Sequence, residues 1–254
     1  MDIGIAFMGI LVGCLVGMTG VGGASLLTPV LVLVGIQPSV AVGTDLFYNS
    51  VTKLFGTVQH FRQKTVDLRL VGHLAAGSVP GAVAAIAMLQ WFDNFFHNQE
   101  QLIRQSLGAV LIAVSLMTLV MQLFRRNAHE NRWQAIPLPQ KQAVTVLIGA
   151  ALGFIVGLTS IGSGSLFAIV LMHLYRLTAA QLVGTDIAHA FLLVTAASLL
   201  HAGFGNVDFL LAFNLLIGSV PGVLLGGALA PKLPAGPLRA IVVALILISG
   251  VKLL

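Results

Sequence analysis

The sequence predicts an all-α integral membrane protein built from two inverted-topology repeats of about five helical segments each, with one short or interrupted helix pair per repeat. Three observations carry this. First, charge is scarce: of 254 residues, 8% are Asp, Glu, Lys or Arg and 57% are hydrophobic, with a mean hydropathy of +1.00. A soluble domain needs about 25% charge to cover its outside, so a soluble enzyme, a disordered chain and a nucleic-acid-binding domain are excluded. A surface that faces lipid needs no such cover. Second, apolar stretches of about spanning length recur along the chain, and two shorter ones follow glycine-rich runs. Third, the halves resemble each other at an offset of 140 to 141 residues, with equivalent loops of opposite charge character.

Taken in order, the long apolar segments are 3–20, 40–60, 69–90, 102–124, 142–159, 180–201, 209–230 and 238–254. The short ones are 24–35 and 164–175. This gives a first transmembrane repeat over 1–124, a cytoplasmic linker over 125–141 and a second, inverted repeat over 142–254. Met1, Asp2 and Ile3 form no basic leader, so the first stretch reads as a retained membrane segment rather than a signal peptide. Backbone polar groups in lipid need partners, so an interrupted helix survives only against protein or a water-filled cavity.

Basic loops mark the cytoplasmic side. Arg62, Lys64 and Arg69, then Arg125, Arg126, Arg132 and Lys141, then Lys232 and Arg239 fall in three such loops. The loops 91–101 and 202–208 carry Asp93, Glu100 and Asp208 without Lys or Arg, and read as outside. The expectation is a multi-pass protein of the cytoplasmic membrane with both termini outside. Arg176 falls inside on this scheme; Arg104 and Lys252 fit it less well, near the outer side. The net charge of +5 is scattered over these loops and makes no nucleic-acid stripe. The single Cys14 excludes a disulfide framework and reads as a packing residue.

The duplication is specific. Gly17 to Leu26 aligns with Gly157 to Leu166, and Gly43-Thr44-Asp45 with Gly184-Thr185-Asp186. His60 meets His201, Val66-Asp67 meets Val207-Asp208, and Gly77 to Gly81 repeats as Gly218 to Gly222. Positions 43–89 share 14 identities with their counterparts, more than apolar composition produces. Loop 61–69 is basic where 202–208 is not, and 91–101 is acidic where 231–239 is basic. The halves are therefore expected to be inverted, which five crossings each allow. Paired interrupted helices in inverted repeats are secondary-transporter architecture, with the substrate near the midplane.

The candidate substrate-binding residues are Thr19, Gly20, Gly22, Gly23 and Ser25 in the first break and Thr159, Ser160, Gly162, Ser163 and Ser165 in the second. Small residues let the backbone turn and approach a ligand. A helix that begins there presents amides and a positive dipole end, which suit a small anion. The competing reading is close helix packing through small residues. Asp45 and Asp186 open the next helices at a cost of about 3 kcal/mol each on insertion scales. They read as a proton or cation site, as a brace for the break, or as helix-start carboxylates. Tyr48 and His189 occupy equivalent places one turn on, and Asn49 shares a face with Asp45; these diverged side chains are candidates for selectivity. Lys53 reads as snorkelling to the cytoplasmic side. His60 and His201 read as helix C-terminal residues, and Asp67 and Asp208 as N-caps. Pro80 and Pro221 imply matched kinks or close contacts. No metal-ligand spacing, hydrolytic constellation or Walker loop occurs, so no enzyme activity, metal site or cofactor is expected.

These motifs together resemble the TauE/SafE family of sulfite and organosulfur anion exporters. The likeness rests on the glycine-rich runs 17–26 and 157–166, Val-Gly-Thr at 42–44 and 183–185, the His60…Val66-Asp67 and His201…Val207-Asp208 pairs, and the duplicated Gly-Ser-Val-Pro-Gly. It implies movement of a small sulfur-containing anion across the bacterial cytoplasmic membrane, in the direction of export. The family commonly has a small polar residue where this chain has Asp45 and Asp186, and that departure points to proton coupling. The rival reading is a cation or metal-ion transporter that uses the two aspartates. The partners expected are a small anion and the lipid bilayer, with no nucleic acid; the sequence leaves the oligomeric state open.

Overall fold

In a computed structural model, residues 3–19, 24–96, 99–124, 134, 136–229 and 235–254 are described. They trace ten α-helices: α1 Ile3–Thr19, α2 Ala24–Leu33, α3 Pro38–Arg62, α4 Leu68–Phe96, α5 Gln99–Phe124, α6 Gln142–Thr159, α7 Ser165–Leu174, α8 Ala179–Gly203, α9 Phe209–Leu229 and α10 Ala235–Leu253. A single 3-10 turn, Leu138–Gln140, precedes α6. Among the described residues all regular structure is helical. Among the described residues five helices, α4, α5, α6, α8 and α9, are long and apolar enough to cross a membrane. The two segments expected to be short are so: α2 and α7 have 10 residues each, about 15 Å against a hydrocarbon core of about 30 Å. Several helices outrun their apolar stretches, because hydropathy marks the oil-soluble part and misses flanks such as Gln99-Glu100-Gln101.

The helix ends follow local chemistry. Asp67 Oδ1 accepts from the amides of Arg69 and Leu70, and Asp208 Oδ1 accepts from Leu211, so both act as the N-caps expected. Thr178 and Gln181 form a reciprocal capping box at α8. α3 starts differently: Pro38 lies in its first turn, and Glu100 of α5 accepts from the amide and hydroxyl of Ser39. α3 and α8 end alike. Thr65 N bonds His60 O at 3.1 Å, and Asn206 N bonds His201 O at 2.9 Å. The residues between, Lys64 (φ 58) and Gly205 (φ 76), are left-handed, the signature of a Schellman turn.

The halves of the sequence interlock. α1 lies along α9 and α6 along α4, while α3 meets α8 and α5 meets α10. A Cβ on Gly13 would sit 2.5 Å from Ser219 O, and one on Gly153 would sit 2.1 Å from Ser78 O. Backbones approach this closely only where side chains are absent. Gly81 and Gly222, next to Pro80 and Pro221, make matching close contacts with Ala150 and Ile10. Two hydrogen bonds repeat the exchange: Asp67 N donates to Thr185 Oγ1 and Asp208 N to Thr44 Oγ1, each at 3.0 Å. The interior holds Leu31, Leu46, Leu74, Ile103 and Phe167. The outside displays Leu210, Phe55, Leu147 and Leu224, each about 70% exposed, a surface suited to lipid rather than water.

Candidate functional site

The second glycine-rich run interrupts the bundle between α6 and α7. Ser160 ends α6 in a left-handed conformation (φ 61), and Gly162 (φ 95) takes the chain through the turn. Gly162 can hold that angle because it lacks a Cβ. Thr159 Oγ1 donates to Ile155 O at 2.7 Å and accepts from Ile161 N at 3.2 Å, which commits its hydroxyl to the turn itself. Thr159, Ser160, Ile161 and Ser163 are buried. α7 then begins at Ser165 with Gly164 as its N-cap residue, so its first amides point back at the break. Ser165 Oγ is buried without a hydrogen-bond partner.

Asp45, on α3, sits against this break and is fully buried. Its Oδ2 accepts from Thr28 Oγ1 of α2 and from Ser160 Oγ at 2.9 Å. Its Oδ1 accepts from Asn49 Nδ2 at 2.7 Å, and the same amide nitrogen also reaches Asp45 O at 2.9 Å. Three donors from three segments therefore converge on one carboxylate, which ties α2, α3 and the α6–α7 turn together. Of the readings open to Asp45, the geometry matches a brace for the break.

Asp186, on α8, is placed otherwise. It is 7% exposed, and its Oδ1 has no hydrogen-bond partner. A Cβ on Gly164 would lie 3.6 Å from Asp186 Oδ2 and 3.5 Å from Lys53 Nζ. Lys53 is thus not directed away to the membrane surface. It turns inward to the N-terminal end of α7, where its charge acts on Asp186 and on Asp45. The sequence carried a hint: 45, 49 and 53 share one helical face.

The partners of Asp45 are missing from the other copy. Thr28, Ser160 and Asn49 correspond to Ala168, Gly20 and Ala190, and Lys53 corresponds to Val194. None of those replacements carries a side-chain donor. Tyr48 and His189 are both buried, and His189 Nε2 pairs with Ser78 Oγ at 2.8 Å. His189 also lies against Phe167, ring centroids 4.3 Å apart, and its Nδ1 has no partner. His60 Nδ1 pairs with Thr65 Oγ1 at 2.8 Å, and buried His201 directs Nε2 to Gly157 O at 3.4 Å.

The structure brings Ser160, Asp45, Asn49 and Thr28 into one cluster, and Ser165, Gly164, Asp186 and Lys53 into a second beside it. Of the first break, Gly20, Gly22 and Gly23 lie outside the described residues; Thr19 closes α1 and Ser25 falls in the first turn of α2. Arg125, Arg126, Arg132 and Lys232, used for the orientation, also lie outside the described residues. Among the described residues no group of three or more His, Cys, Asp and Glu is placed to hold a metal ion. Sequence reasoning missed Thr28 and the inward turn of Lys53, because both depend on which helices meet.

A sequence model of the family described as sulfite exporter TauE/SafE matches residues 5–253. The chain is 56% identical over 254 residues to "Probable membrane transporter protein YjnA" of Bacillus subtilis (strain 168), covering 100% of both chains. It is 24% identical to "Probable membrane transporter protein YunE" of the same organism, covering 98% of this chain and 96% of that one. It is 26% identical to "Probable membrane transporter protein y4hK" of Sinorhizobium fredii (strain NBRC 101917 / NGR234), covering 99% and 98%. No solved structure matches it.

Proposed function

The chain belongs to the TauE/SafE sulfite exporter family, a family of membrane transporters rather than enzymes, and from that premise we propose that it is a secondary transporter that exports a small sulfur-containing anion of the sulfite or organosulfonate type. It is a multi-pass membrane protein. The observation that carries the anion reading is the buried α6–α7 break, where α7 starts with an unpartnered Ser165 hydroxyl in its first turn and Lys53 Nζ lies beside its N-cap residue Gly164. Amides, a hydroxyl and an ammonium are what an oxyanion takes up when it leaves water.

The transport site is formed by both breaks: Thr19, Gly20, Gly22, Gly23 and Ser25 from the first, Thr159, Ser160, Gly162, Ser163 and Ser165 from the second. Asp45, Asp186, Tyr48, Asn49 and His189 stand beside it. The opposite charge of equivalent loops supports inverted halves, with both termini outside the cytoplasmic membrane. The exchanged bonds Asp67–Thr185 and Asp208–Thr44 support a two-fold relation between the halves. A negative cell interior repels anions by about 2.3 kcal/mol per charge per 100 mV, so outward flow of a net negative charge needs no ATP. Sulfite efflux from loaded proteoliposomes tests this. The flux should respond to membrane potential or to a pH gradient, and a flux indifferent to both rejects the mechanism.

The second reading, inward transport of a cation, draws on the unpartnered Asp186 Oδ1. Lys53 beside that carboxylate counts against it, since an ammonium repels a second cation. Asp186→Asn separates the two: a cation carrier loses substrate binding, and an anion carrier keeps it.

A further inference from the structure

The α6–α7 break carries an uncommon arrangement of charge. Lys53 Nζ and Asp186 Oδ2 both stand beside Gly164, at 3.5 and 3.6 Å from the point where a Cβ would be. Asp186 is 7% exposed, and its other oxygen is unsatisfied. Ser165, first residue of α7, also keeps a buried hydroxyl without a partner. Buried polar atoms left so are rare in native proteins and call for an occupant.

The neighbouring titratable groups are otherwise engaged. From α3, Asp45 takes its bonds from Thr28, Ser160 and Asn49, Tyr48 is buried, and His60 bonds Thr65. On α8 itself His189 bonds Ser78 and His201 faces Gly157 O. α6 carries no titratable side chain, and His173 of α7 is exposed near that helix's far end. Asp67, Arg69 and His73 belong to the opening turns of α4, where Asp67 caps the helix and His73 Nδ1 pairs with Arg69 O. Neutral donors leave the charge of Asp45 in place, so Lys53 answers to both carboxylates, and Asp186 is the one that keeps an oxygen without a hydrogen-bond partner.

We infer that Lys53 is the counter-charge that receives the transported oxyanion, and that Asp186 takes up a proton as the anion arrives, so that anion and proton occupy the site together. This rests on the anion reading above and adds the sign of its coupling. One ammonium already shared with Asp45 and Asp186 cannot favourably face a third anion in a buried site, and Asp186 relieves the conflict by binding H+ from solution on its free oxygen. Linkage then makes each ligand favour the other. Proton and anion move in one direction rather than in exchange. A dianion such as sulfite then crosses with one net negative charge and keeps the electrical drive outward, whereas a monoanion crosses without net charge and is driven by its own gradient and the pH gradient alone.

The test is calorimetric binding of sulfite and of methanesulfonate to the detergent-purified full chain, from about pH 6 to about pH 8.5, in buffers of different ionisation heat. Sulfite's own titration is common to every variant, and methanesulfonate has none in this range. Where Asp186 is ionised in the free protein, wild type should take up about one proton per anion more than Asp186→Asn. Its affinity should fall toward about tenfold per pH unit, relative to that variant, once Asp186 is ionised. At the alkaline end Asp186→Asn should bind more tightly than wild type, because the internal competitor for Lys53 is gone. Lys53→Met should weaken binding at least about tenfold while Lys53→Arg retains it, with melting curves to verify folding. Equal proton uptake in wild type and Asp186→Asn, or unchanged binding in a folded Lys53→Met, overturns this inference and leaves the anion reading standing. Wild type that binds neither anion overturns both.

Discussion

The two copies of Gly-Thr-Asp have the same letters and different surroundings. Asp45 is held by Thr28, Ser160 and Asn49. Asp186, at the equivalent place, has one unsatisfied oxygen and a lysine nearby. The difference was made around the aspartates, not in them: every donor to Asp45 becomes Ala168, Gly20 or Ala190 in the other copy, and Lys53 becomes Val194. A duplicated element can thus keep its backbone role while its side chain is released for another task. The threonines show what was kept, since Thr44 and Thr185 still make the same 3.0 Å bond to the opposite half.

The comparison breaks most readily at Asp45. Asp45→Ala removes the acceptor for three buried donors and should cost about 3 kcal/mol or more. Asp186→Ala should cost less than half of that, and thermal melting in detergent compares the two; equal losses would mean the copies are not differentiated. Next come the close helix crossings, where the copies should behave alike. Gly153→Ala and Gly13→Ala each force a Cβ into the backbone of the opposing helix, so each should cost about 1–3 kcal/mol, read as lowered melting temperature. Smaller still is the exchanged pair: Thr44→Val and Thr185→Val should each lose about 1 kcal/mol, by similar amounts. The smallest effect lies at the helix ends. Lys64 holds a left-handed angle that Gly205 holds in the other copy. Lys64→Gly should stabilise by about 0.5 kcal/mol, because relief of the left-handed angle is partly offset by the greater unfolded-state entropy of glycine, and Gly205→Lys should destabilise by a similar amount.

Much of the fold was legible before any coordinates. The short helices α2 and α7 fell where glycine-rich runs ended, and Asp67 and Asp208 capped α4 and α9, because these features depend on neighbours in sequence. The capping box Thr178–Gln181 is local in the same way. Its functional equivalent at α3 is not: Ser39 is served by Glu100, 61 residues away, and no periodicity signals that. Within the site, the breaks and both aspartates stood out by repetition. What repetition hid was the asymmetry, since aligning the copies draws the eye to Asp45 and Asp186 as equals. Lys53 was read as a snorkelling side chain because that is how lysines near a membrane usually behave, and only its position beside Gly164 reverses the reading.

The sequence by itself determined composition, helix-forming stretches, the places where helices break and the existence of two related halves. Each of these follows from short-range chemistry: apolar runs, capping side chains, glycines and a repeat offset. The tertiary structure alone decided that α1 belongs with α9 and α6 with α4, that Thr28 and Ser160 meet at Asp45, and that Lys53 and Asp186 both stand beside Gly164. Those pairings follow from how ridges of small residues let backbones approach across the bundle, and the energy of that approach depends on surfaces distant in the chain.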